Sequence, residues 1–72
     1  MYTVVCYERN TGFGYCRPAT FTAKHKAMRF ASQCARDTAG NTGYDVKLAQ
    51  PDCYGDMTDI LFHWRDGKRV DP

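Results

Sequence analysis

The chain has 72 residues, 43% hydrophobic and 25% charged, with a formal net charge of +2. A chain this short buries only about 60% of its unfolded surface, which limits it to one domain with a thin core, most simply one helix layer on one sheet. No apolar run approaches bilayer length, the charge is too mild to mark a nucleic-acid binder by itself, and no repeat or low-complexity tract occurs.

The stretch YTVVCYER is rich in β-branched and aromatic residues and predicts a first strand. NTGFG supplies turn residues, and YCRPATF reads as a weaker second strand. Pro18 has no N–H for a ladder, so that strand is expected at an edge or broken there. Apolar residues fall on both faces of both strands, and the pattern leaves open which face is buried. From Thr22 the period changes. In TAKHKAMRFASQCARDTAG, residues Ala23, Ala27, Phe30, Ala31 and Cys34 share one helical stripe, which Thr38 continues. Thr22 is placed to cap the start and Gly40 to close the end. His25, Arg29, Ser32, Gln33 and Arg36 fall on the opposite stripe, with Lys26 at its edge.

GYDVKLAQP alternates Tyr44, Val46 and Leu48 against Asp45, Lys47 and Ala49, which predicts a strand with one dry and one wet face. PDCYGDM is a loop. TDILFHW puts Ile60, Phe62 and Trp64 on one face and Leu61, His63 and Arg65 on the other. Asp66-Gly67 signals a type I′ turn. The arm after it, Lys68 to Pro72, would blunt a sheet edge with charge and proline, and sets the basic pair Lys68 and Arg69 near His63 and Trp64. The expected fold is a single α+β domain over 1–72, an antiparallel sheet of four to five strands packed on one helix in β-β-α-β-β order.

No catalytic constellation emerges, and the expectation is a protein that is not an enzyme and carries no cofactor. Cys6, Cys16, Cys34 and Cys53 lack the close paired spacing of a zinc site, and His25 and His63 are isolated, so no metal is expected. The first residues lack the pattern of a secretory signal, which makes a cytosolic location and reduced, buried thiols the expectation. If RNTGF turns as a hairpin centred near Thr11, Cys6 and Cys16 come opposite each other, and an oxidising solution could join them. Cys34 sits on the apolar stripe, away from a helix start that would activate it. Asp52, Asp56 and Asp59 lack the spacing of a calcium loop, and TGFG lacks the length and lysine of a phosphate loop.

Surfaces are what remain. Five Tyr, four Phe and one Trp exceed what one thin core absorbs, so some of Tyr2, Tyr7, Phe13, Tyr15, Tyr44 and Tyr54 must be exposed. The sharper feature is the outer helix stripe. Arg29, Gln33 and Arg36, with Lys26 and His25, form a basic ridge suited to phosphates or acidic protein surface, whereas six of the eight acids lie from Asp45 onward.

AMRFAS (Ala27 to Ser32) and DGKRVD (Asp66 to Asp71) resemble segments of a small phage-encoded anti-CRISPR family acting on type I-F systems. The resemblance covers the second half of the chain, and length and element order are also similar. It implies a non-catalytic inhibitor in the host cytoplasm that sits on backbone subunits of the crRNA-guided surveillance complex and obstructs target DNA. Arg29 matches an outward helix residue that engages the complex, while Met28 and Gln33 stand where the family has lysines. The element order is also similar to that of a podovirus inhibitor of host RNA polymerase. The expected partner is a host protein complex, with weak nucleic-acid contact as an addition and no membrane. Direct nucleic-acid binding through the basic helix and exposed aromatics is the alternative from a different class.

Overall fold

The computed structural model describes residues 1–15, 17–39, 43–50 and 59–70. In chain order the elements are β1 (Tyr2–Glu8), β2 (Ala19–Phe21), α1 (Lys24–Thr38), β3 (Tyr44–Gln50), β4 (Asp59–Arg65) and β5 (Lys68–Arg69). They form an α+β domain in which one antiparallel sheet, ordered β2-β1-β3-β4-β5, carries the helix on one face.

Each strand sits where its residues allow. β2 begins only after Pro18, at an edge, as a residue without an N–H requires. β1 and β3, the strands richest in valine and leucine, lie inside the sheet and pair from Thr3↔Ala49 to Glu8↔Tyr44. The Asp66-Gly67 turn has positive φ at both positions, 53° and 83°, which is the backbone of a type I′ hairpin. It returns β5 onto β4 through Trp64↔Arg69 and Arg65↔Lys68.

Val4 and Cys6 from β1, Val46 and Leu48 from β3 and Trp64 from β4 form the sheet side of the core. Ala27, Ala31, Cys34 and Ala35 form the helix side. Small residues on α1 let its backbone approach the larger sheet side chains, and burying a residue such as Leu48 contributes about 2 kcal/mol. Thr38 continues the stripe at 1% exposure because its hydroxyl donates to the Cys34 carbonyl at 2.9 Å. Ala35 joins the buried stripe, while Phe30 lies on its flank against Phe21, with ring centroids 5.4 Å apart.

Three local expectations are corrected. The N-cap of α1 is Ala23, extended and with no side-chain hydrogen bond, so Thr22 lies one residue outside the helix start and does not cap it. The wet face of β3 is partly dry: Asp45 is 3% exposed and Ala49 is 0%. Asp45 is enclosed by cationic side chains described below, and Ala49 lies between its strand partners Thr3 and Ile60. The alternation of β4 breaks at Leu61, which has no partner across β3 because Leu48 pairs with Phe62 and Ala49 with Ile60. This bulge removes Ile60 from the face of Phe62 and Trp64 and leaves Leu61 packed on the core. The proposed closing glycine Gly40, the 51–58 loop, Cys16, Cys53, Tyr54, Asp71 and Pro72 lie outside the described residues, and so does any Cys6–Cys16 pairing. Cys6 and Cys34 are buried.

Candidate binding groove

The outer flank of α1 and the adjoining part of β4 enclose an open groove of about 790 Å³. Lys24, His25, Met28, Arg29, Ser32 and Arg36 line it from the helix and Phe62 from the sheet. Residues 24, 28, 32 and 36 are successive four-residue steps, so they stack as one row beside the buried stripe. Phe62 reaches the groove from the core face, and two cations lie over its ring: Lys24 Nζ at 5.4 Å and Arg69 Cζ at 4.5 Å from the centroid. Trp64 is its other ring neighbour, at 6.3 Å.

Among the described residues that line the groove, none is acidic. Arg29 makes no side-chain hydrogen bond or ion pair among the described residues. Arg36 donates to the Gln33 amide oxygen at 2.9 Å and has no ion pair among the described residues, and the same amide donates to Asp37 at 2.9 Å. Asp37 is thus kept on Gln33. The first turn of α1 contains no acid, and its cations oppose the positive end of the helix dipole.

Of the residues singled out from sequence, His25, Arg29 and Arg36 line the groove and Arg69 joins them over Phe62. Gln33 lies beside it and positions Arg36. Lys26 is exposed but outside the lining. Lys68 is exposed and, next to Arg69 in a strand, projects to the opposite face. Ser32, read onto the outer stripe, also lines the groove, while Lys24, Met28 and Phe62 are lining residues that the sequence reading did not assign to a site. The four-residue row was legible in the helix pattern. The role of Phe62 was not, because it depends on a strand distant in sequence.

A second polar cluster lies at one end of the sheet's other face. Asp45 accepts from Arg9 at 2.6 Å, and it lies 3.2 Å from His63 Nε2 and 3.6 Å from Arg65 Nε. Arg9 also donates to both carboxylate oxygens of Asp66, at 3.3 and 3.2 Å. Asp66 in turn accepts from the Gly43 and Tyr44 amides at 2.7 and 3.2 Å. His63, isolated in the sequence, therefore lies against the buried Asp45 carboxylate. Burial disfavours charge on Asp45, but the bonds from Arg9 and His63 outweigh it and hold its carboxyl below the ordinary range. The Asp45 bond, then the Asp66 bond, pushes the Arg9 guanidinium above its ordinary value. Both acids are engaged within the fold, which makes this cluster a fastener.

The exposed aromatics lie elsewhere. Phe13 is 76% exposed and Tyr15 49%, both in the β1–β2 connection across the sheet from β4 and β5. Tyr2, Tyr7 and Tyr44 are half-buried. Among the described residues, no group of three or more His, Cys, Asp or Glu gathers as a metal site, and no helix is long and apolar enough to cross a membrane. No family model, curated protein or solved structure matches the chain.

Proposed function

We propose that this protein is a non-enzymatic phage inhibitor that docks on a host protein complex through the α1 groove. The type I-F CRISPR surveillance complex is the target to which the sequence resemblance points, and obstruction of target DNA is the effect. The observation that carries the reading is Arg29, which has no side-chain partner among the described residues and is set with Arg36 along an open groove whose described lining holds no acid. Such a surface needs no reaction chemistry: a small domain can cover a standard interface of roughly 800 Å² per partner, and charge complementarity speeds the encounter.

The test is a mobility-shift assay of target DNA on purified type I-F surveillance complex. The wild-type protein should prevent the shift. Charge reversal at Arg29 and Arg36 together should weaken inhibition by more than about tenfold, the scale of losing close interfacial charge pairs, with the melting temperature nearly unchanged. An inactive wild type, or a double variant that inhibits as well, would overturn the reading. Direct nucleic-acid binding is the second reading, favoured by the row of cations. It predicts affinity for bare DNA that falls steeply with salt.

A further inference from the structure

We infer that the α1 groove is built for an acidic polypeptide segment carrying an apolar residue among its carboxylates, and not for a nucleic-acid strand. The inference rests on the groove being the docking face proposed above and names the chemistry of what it takes. Cationic side chains mark its length: Lys24 lies over Phe62 at one end, Arg29 lies beyond it, and Arg36 stands at the other end. Twelve helical positions separate Lys24 from Arg36, about 18 Å of helix axis at 1.5 Å per residue. An extended segment of roughly five or six residues spans that distance. Gln33 fixes Arg36 by one guanidinium nitrogen and leaves the rest of its fork for a carboxylate.

The lining between the cations separates a peptide from a nucleic-acid strand. Met28 and Phe62 give the groove an apolar floor beside its charges, which suits a side chain such as Phe or Leu. Proteins that hold single strands stack bases on free aromatic faces. Here the ring of Phe62 is already engaged by Lys24, Arg69 and Trp64, while Phe13 and Tyr15 lie across the sheet. Among the described residues, the groove therefore offers ion pairing and an apolar seat without a free aromatic face for stacking.

Fluorescence anisotropy on the full chain tests this with two labelled probes: a glutamate-rich hexapeptide with one central phenylalanine, and oligothymidylate. The peptide should bind, and Arg29→Glu with Arg36→Glu should weaken that binding at least about tenfold. Replacing the peptide's phenylalanine by serine should also weaken it. Lys68→Glu, which alters net charge outside the groove, should leave peptide binding as it was. Failure of the peptide to bind, equal binding by the double variant, or tighter binding of oligothymidylate through the same arginines would overturn the inference. Peptide capture without inhibition of the surveillance complex leaves the inference standing and removes the proposed target. Inhibition through the arginines without peptide capture does the reverse.

Discussion

At Asp45, burial and charge pull in opposite directions. The side chain is 4% exposed, which alone would raise its pKa, yet Arg9 and His63 keep it below the ordinary range. Asp66 is lowered as well, first by its bond from Arg9 and then by the Gly43 amide. A depressed carboxylate stabilises the fold above its unfolded pKa, and that contribution is lost as pH falls through the folded value. Urea unfolding followed at decreasing pH should therefore show stability dropping below about pH 4. Asp45→Asn should flatten that drop. At neutral pH it should cost about 2 kcal/mol, the scale of a hydrogen bond to a charged group. The full penalty of breaking a buried ion pair is not expected, because Arg9 is 30% exposed and can rehydrate.

At the scale of elements, the β4–β5 turn is packed against the helix. A Cβ on Gly67 would lie 2.5 Å from the Ala39 Cβ and 2.7 Å from its Cα, beside the end of α1, and φ there is +83°. Gly67→Ala should cost about 3 kcal/mol, combining left-handed backbone strain with a clash that only a shift of the helix end relieves. Gly12→Ala, at φ +75° with nothing near its Cβ, should cost about 1 kcal/mol from the backbone alone. Thermal denaturation of the two variants separates the terms.

The same elements show what a sequence can disclose. Asp66-Gly67 was legible because a two-residue turn is local chemistry, and α1 because its apolar residues recur with the helical period. Helix faces followed, and with them His25, Arg29 and Arg36 in the groove. The bulge at Leu61 was illegible because Ile60, Phe62 and Trp64 alternate cleanly, and the extra residue shows only against β3. Asp45 read as wet for a related reason. Arg9, His63 and Arg65 enclose it only once β1, β3 and β4 are aligned. Thr22 met the compositional rule for a cap, but the chain turns helical one residue too late for its hydroxyl to serve.

For the whole molecule, the two polar regions divide the work. The Asp45–Asp66 cluster pairs its charges internally and ties three strands together, whereas among the described residues the groove gathers cations with no acid in its lining.

Arg9 leaves the end of β1, yet the Asp66 carboxylate that grips it lies 57 residues away. A contact of such long span closes a large loop and is expected to form after the rate-limiting barrier, once the central strands have condensed. Stopped-flow chevrons of Asp66→Asn should then show a steeper loss of native lifetime than of refolding speed: a faster unfolding limb and an almost unmoved folding limb. On that outcome the hairpin tip, alongside Asp45, would govern how long the folded chain persists and how quickly acid shortens that persistence.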